Sequence, residues 1–204
     1  MSGTNTREPV QKRSRQKKRA LIVCGMKIFA HKSYDQCTIA EICTEADVAV
    51  GTFYCYFKDK KELLKEVVAL YGNRIISSVY GGFSEKKSHQ KGSETIEELI
   101  QASIDAHSLS PGLHKEIGAL VNRFEFIKKH ELELEKTVTE KTLAILKNSN
   151  EDIRIVNLEP AADVICSAIE KTVHKCLIDN NGKKLNEKCE ALKEMISRYL
   201  FKDA

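Results

Sequence analysis

Thr38-Ile39-Ala40-Glu41-Ile42-Cys43-Thr44-Glu45-Ala46-Asp47-Val48-Ala49-Val50-Gly51-Thr52-Phe53-Tyr54-Cys55-Tyr56-Phe57 decides how the rest of the chain is read. Its first four residues spell a capping box: the threonine hydroxyl accepts from the backbone N–H three residues on, and the glutamate reaches back to the threonine N–H. The box starts a short helix with Ile39, Ile42 and Cys43 on its inner side. Ala46-Asp47-Val48 stops it after two turns, and a second short helix runs from about Ala49 to Tyr56. Two short helices joined by a tight turn, with a supporting helix on each side, make a helix-turn-helix. Val50, Phe53 and Phe57 are spaced to face inward; Ala49, Gly51, Thr52, Tyr54 and Cys55 take the other side. Small and polar groups outside, apolar groups inside, suit a helix that lies in a DNA major groove. Gly51 costs roughly 1 kcal/mol against alanine inside a helix. It makes sense where backbone comes close to another molecule, or where two helices pack tightly.

The flanks complete the pattern. Ala20, Leu21, Cys24, Ile28 and Phe29 recur at spacings of three and four, which predicts an amphipathic helix from Lys17 to about Lys32. Asp59 caps a long helix with Glu62 at its third position and Leu63, Leu64, Val67, Val68, Tyr71, Ile75 and Val79 along one face; Gly81-Gly82 ends it. Residues 84–93 read as a polar loop. Further helices are expected at 95–108, from Pro111 (capped by Ser110) to about 128, at 131–147, from Glu159-Pro160 to about 177, and at 186–201. No segment alternates with period two for long enough to be a strand. The fold class is all-α, with about nine helices, and only three prolines interrupt 204 residues. The expected domains are a disordered lead-in at 1–10, a helix-turn-helix domain at 11–62 and a second helical domain at 63–204.

Charge is unevenly placed. Residues 1–60 hold 11 Lys/Arg against 6 Asp/Glu; the remainder holds 22 against 23. Six of the nine residues from Gln11 to Arg19 are cationic and none is acidic, an electrostatic footprint for a polyanion or else a solvated helix start. Seven scattered cysteines with no C-x-x-C pair argue against a disulfide framework or a zinc knuckle and fit a reducing cytoplasm. No apolar run approaches the ~18–20 residues of a membrane span. No apolar stretch follows the basic N-terminus, so no secretory signal is expected. Nucleophile elbow, phosphate loop and His-Glu-x-x-His are absent, so neither catalytic residues, nor a cofactor, nor a metal site is expected.

Residues 17–65 resemble the TetR family of bacterial transcriptional regulators. The likeness is densest from Thr38 through Tyr56-Phe57-Lys58-Asp59-Lys60-Lys61-Glu62-Leu63-Leu64, with Ile28-Phe29-Ala30 and Tyr34 ahead of it. That pattern is a threonine-led helix, an Ala-Gly-Val turn, Ser/Ala-x-Gly-Thr-hydrophobic-Tyr-x-Tyr/His-Phe, and a Lys-Glu-x-Leu helix start. Residues 66–204 match it in helix layout alone. Two positions depart from it: Ser33 stands where glycine usually ends the first helix, and Asp47 replaces the turn glycine. Serine there carries a left-handed backbone penalty that glycine avoids; aspartate tolerates that geometry better than most residues.

The resemblance implies roles. Thr38, at a helix N-terminus, would meet a phosphate. Thr52 and Tyr54 would reach phosphates or base edges, Tyr56 and Lys58 the backbone beyond, and Lys60 another phosphate. Ala49, Gly51 and Cys55 would approach bases, thymine methyls above all. Cys55 is also the one cysteine placed for redox control, though a small filler beside a tyrosine is the plainer reading. The arm with Lys12, Arg13 and Arg15 would add backbone or minor-groove contacts. His107, His114, Asn122, Arg123, Phe124 and Phe126 are candidates for an effector pocket. Ile165, Ile169, Val173, Leu192, Ile196 and Tyr199 are candidates for a homodimer seam. The implied partners are double-stranded DNA with a pseudo-palindromic operator, a small-molecule effector and a second copy, with no membrane. The expected function is a sequence-specific transcriptional regulator, a repressor released by its effector; the alternative is a helical dimeric interaction protein without specific DNA readout.

Overall fold

The computed structural model describes residues 7–83, 92–148, 153–179 and 184–202, with backbone alone at 7–11 and 179. The described residues form nine α-helices: α1 (Arg7–His31), α2 (Ile39–Glu45), α3 (Val50–Tyr54), α4 (Lys60–Tyr80), α5 (Gly92–Ser108), α6 (Pro111–Leu120), α7 (Glu125–Lys147), α8 (Leu158–His174) and α9 (Leu185–Leu200). A π-helical turn, Lys175–Asp179, follows α8. The one β-type pairing among these residues is an isolated bridge between Ile153 and Phe201.

Two compact units divide the chain: one takes the residues up to Leu70 together with Gly112–Ile127, the other Tyr71–Pro111 and the residues from Lys128 on. In the first unit Leu21, Phe29, Ile42, Phe53, Leu63, Leu64, Val67, Leu113 and Ile127 are buried. Gly25 lets α1 press on α4, since a Cβ there would lie 2.9 Å from Leu63 Cδ2. Helices as short as α2 and α3 are marginal alone, where ~12–15 residues are needed. Burial holds them here, at roughly 1.5–3 kcal/mol for each fully enclosed large apolar side chain. The second unit is built on α5, α8 and α9 around Ile96, Leu99, Ile100, Ile165, Ile169, Val173, Leu192, Ile196 and Leu200, with Leu146 of α7 in the same cluster. Across it, the Tyr80 hydroxyl donates to Val138 O at 2.9 Å and lies 2.8 Å from Thr142 Oγ1.

Several element ends differ from the sequence expectation. α1 begins ten residues before its apolar pattern, because Arg7 to Lys18 are mostly good helix formers and Pro9 falls in the first turn, where its missing N–H costs nothing. Of the expected disordered lead-in at 1–10, residues 7–10 are helical and 1–6 lie outside the described residues; of the expected loop at 84–93, residues 92 and 93 are helical and 84–91 lie outside the described residues. α5 starts at Gly92 rather than Thr95. α6 stops at Leu120 and α7 starts at Glu125, where one helix to 128 and another from 131 were expected. The break is tertiary in origin: Arg123 and Phe124 both fold back to Leu120 O so that their side chains meet Asp35 and Tyr34. Ser33 pays no left-handed penalty, because among described non-glycine residues only Asp47 (φ 52°) and Lys184 (φ 57°) have positive φ. Aspartate does occupy the turn position in that conformation, as its tolerance predicts.

Candidate nucleic-acid interface

The capping box forms as its spacing requires. Thr38 Oγ1 accepts from Glu41 N at 3.2 Å, and Glu41 Oε2 accepts from Thr38 N at 2.9 Å. Lys32 Nζ donates to the same carboxylate at 2.5 Å. That ammonium, then the Thr38 amide and hydroxyl, hold the Glu41 carboxyl down at about 2. The Asp59 carboxylate accepts from Glu62 N at 2.8 Å and so starts α4.

α3 presents its outer side to solvent. Phe53 is 0% exposed and Phe57 is buried beside it, their rings 5.4 Å apart. Val50, expected inward, is 44% exposed: α3 is only five residues long, and its first turn projects beyond the core that Phe53 reaches. Tyr54 is 57% exposed and stands edge-on to the Phe53 ring at 83°. Ala49, Gly51 and Cys55 are exposed and Thr52 is partly so. Among the described residues beyond its own helix backbone and chain neighbours, a Cβ on Gly51 would meet nothing within 4 Å, so close helix packing is not why glycine stands there. The Cys55 thiol donates to Gly51 O at 3.4 Å.

The basic end of α1 is tied to this domain by its other face. Ser14 Oγ and Tyr56 Oη are 3.1 Å apart, and Lys18 Nζ donates to Glu66 at 2.6 Å while lying over the Phe57 ring. Lys12, Arg13, Arg15, Lys17 and Arg19 stay exposed, as does Lys58 after α3. Tyr56 and Lys60 are more committed than their sequence positions suggest. Lys60 Nζ donates to Tyr34 O and Cys37 O, both at 2.6 Å, and sits 4.4 Å from the Tyr34 ring centroid. It serves as a strut between α4 and the turn after α1.

The six effector candidates are divided between the two units. His114, Asn122, Arg123, Phe124 and Phe126 belong to the first unit and His107 to the second. Arg123 grips Asp35 with both carboxylate oxygens 2.7 Å from Nη1, and Phe124 stacks edge-on to Tyr34. His107 Nδ1 lies 2.8 Å from Ser103 O, its ring meets that of His174 edge-on, and burial lowers its pKa. The homodimer candidates require correction. Ile165, Ile169, Val173, Leu192 and Ile196 are core residues of a single chain, and only Tyr199, 44% exposed, is open to a second copy. A stripe at helical spacing has two sides, and burial selects the one that faces α5. Val164, Ala191 and Met195 are exposed instead.

Sequence reasoning missed Gly112 and Glu116 and placed Val50 on the wrong face. Glu116 Oε1 accepts from Tyr34 N at 2.5 Å, across 82 residues, and no local pattern signals such a partner.

A five-residue helix with an open outer face, a capped helix before it and a basic helix alongside define a helix-turn-helix domain of the DNA-binding class. Residues 21–67 match the family described as bacterial regulatory proteins, tetR family. A fatty acid metabolism regulator protein of Bacillus subtilis (strain 168) is 30% identical over 131 residues, 63% of this chain and 62% of that protein. The HTH-type transcriptional regulator YuxN of the same organism is 29% identical over 90 residues, 42% of this chain and 31% of that one. The matched part thus spans less than two thirds of either relative. Among solved structures, the regulator FadR of Bacillus subtilis, in complex with stearoyl-CoA, shares the fold: TM-score 0.63, 19% identity, 89% of this chain and 98% of that one. No described helix is long and apolar enough to cross a membrane.

Proposed function

We propose that this chain is a sequence-specific DNA-binding regulator of transcription that acts by binding rather than by catalysis. The observation that carries the reading is Gly51: a helix-weakening residue at the centre of an exposed face, with open space where its side chain would be. No described residue uses that space, and an edge of a base in the major groove would. Thr52 and Tyr54 flank it with hydroxyls, Thr38 offers the start of α2 to a phosphate, and Lys12, Arg13, Arg15 and Lys58 supply positive charge around it. Two copies, paired through the exposed faces of α8 and α9 at Val164, Ala191, Met195 and Tyr199, would meet two half-sites of a pseudo-palindromic operator about 34–36 Å apart.

Release by a small molecule completes the proposal. Such a ligand shifts the population toward a conformer with poor DNA affinity only by binding that conformer better. The chain offers a route for the coupling, since it enters the second unit within α4, returns for α6 and leaves again after Ile127. Repression is the proposed sign. The stearoyl-CoA bound by a solved structure of like fold makes a long-chain acyl-CoA the first ligand to test. The test of the whole reading is fluorescence anisotropy with the full chain on random duplexes and on duplexes selected from a random pool. A selected duplex that binds at least tenfold tighter than random DNA is the expected result; equal affinities leave a helical interaction protein without DNA readout.

A further inference from the structure

We propose that α3 reads thymine methyl groups, so that the half-site beneath it is built on A·T pairs with methyls facing Val50, Gly51 and Tyr54; this rests on the DNA-binding reading above. The major groove offers four distinct base edges. Guanine is read in pairs of hydrogen bonds by Arg or Lys, adenine by Asn or Gln, and cytosine by Asp or Glu. From Val48 to Phe57 the chain has none of these side chains. Of the residues around it, Asp47 stands in the turn before α3, Glu41 is held by Lys32 and Thr38, Glu45 by Lys27 at 2.5 Å, and Lys60 by two backbone carbonyls. The Thr44 hydroxyl donates to Ala40 O, and the Cys55 thiol to Gly51 O. Lys58 lies past the end of α3.

What α3 does present is apolar. Val50 and Tyr54 are one helical turn apart and exposed, and beside them Gly51 leaves bare backbone with room for a group to enter. The 5-methyl of thymine is the apolar group of the major groove. Every base pair has polar edge atoms that such a surface dehydrates at a cost, but a G·C pair offers no methyl to offset that cost. Attraction to thymine and rejection of G·C therefore come from one surface. The hydroxyls of Thr52 and Tyr54 add single hydrogen bonds, and the packing of Tyr54 on Phe53 fixes where that ring stands.

The experiment uses the full chain and the duplex selected above. Each thymine of the half-site is replaced in turn by deoxyuridine, which removes the methyl and leaves the base-pairing edge unchanged. At one or more positions the dissociation constant is expected to rise about fourfold, the equivalent of roughly 0.8 kcal/mol for one buried methyl at tenfold per 1.4 kcal/mol. In the Val50→Ala variant, whose fold circular dichroism checks, the penalty at the facing thymine should shrink, a coupling that a double-mutant cycle reads. Uracil duplexes that bind as tightly as thymine duplexes at every position, or a selected half-site of G·C pairs under α3, would overturn the inference. Failure to select any duplex over random DNA would instead remove the reading on which it rests.

Discussion

Gly112, the second residue of α6, lies against the carbonyl oxygen of Ala30 near the end of α1, with no room between them for a Cβ. This close approach brings Glu116 to the Tyr34 amide and Arg123 to Asp35. Phe124 completes the seat between Tyr34 and the Lys61 ammonium, which lies 5.5 Å from its ring centroid. The helix-turn-helix unit thus includes a segment that begins 58 residues after the end of α3.

Because the obstacle at Gly112 is backbone, Gly112→Ala should cost about 1–3 kcal/mol, the range for overpacking a tight site. Gly118 of the same helix meets nothing within 4 Å, and Gly118→Ala should stabilise by about 0.5–1 kcal/mol through helix propensity. Urea unfolding of both variants reads the two signs. The Arg123–Asp35 pair keeps half or more of each side chain in solvent, where screening leaves an ion pair little net effect, so Asp35→Asn is a mild control.

Removing the N-cap of α2 should be felt in the domain that presents α3. Thr38→Ala takes away the acceptor for Glu41 N and should cost about 1 kcal/mol of stability, measured by the same unfolding curves. The Thr38→Ser variant keeps the hydroxyl and should lose much less.

Glu41 carries a pH dependence of definite sign. Its carboxyl titrates at about 2 in the folded chain against an ordinary 4.5, so the folded state favours the ionised form. The stabilisation is fully present above about pH 4.5 and disappears as pH falls from there toward 2. Glu41→Gln should therefore lower stability at neutral pH and leave a flatter acid limb, read from midpoints collected between pH 2 and 6. Because the Glu41–Lys32 pair is in contact with solvent, added salt should weaken the difference.

Arm and recognition helix should separate by salt and by sequence. Lys12→Ala or Arg13→Ala should weaken binding on every duplex and flatten the slope of log K against log salt by about 0.9 for each phosphate that is no longer neutralised. Thr52→Ala combined with Tyr54→Ala should instead erase the preference for the selected duplex, and unchanged affinity would refute the contacts assigned to these two residues.

In the dimer proposed above, the outer faces of α8 and α9 would meet a second copy, and their exposed residues can be changed without opening the core. Val164→Glu with Met195→Glu should convert the dimer to a monomer in sedimentation velocity while far-ultraviolet circular dichroism keeps its helical signal. Ile165→Ala, by contrast, should cost about 2–5 kcal/mol because it empties a site inside one chain.

Local chemistry was enough for much of this molecule. The Thr38–Glu41 box, the Asp59–Glu62 start of α4, the Ser110-Pro111 opening of α6, the inward Phe53 and Phe57 and the tolerant turn at Asp47 are all interactions within a few residues, and spacing alone reveals them. Period-3.6 patterning identified the all-α class for the same reason. It failed at Val50, where a helix of five residues is too short for the period to choose a face, and at Ile165 and Leu192, where a stripe does not say whether its partner is α5 or another chain.

The sequence by itself determined the helices, the two-helix motif and the concentration of positive charge at its N-terminal end, because caps, turns and periodicity act between near neighbours. Tertiary structure alone decided that Lys60 is a strut, that the helix opening at Pro111 breaks at Leu120 so that Arg123 can reach Asp35, and that Gly51 faces open space. Each depends on groups brought together from distant parts of the chain, and such meetings are settled by packing and burial, for which adjacent residues carry no signal.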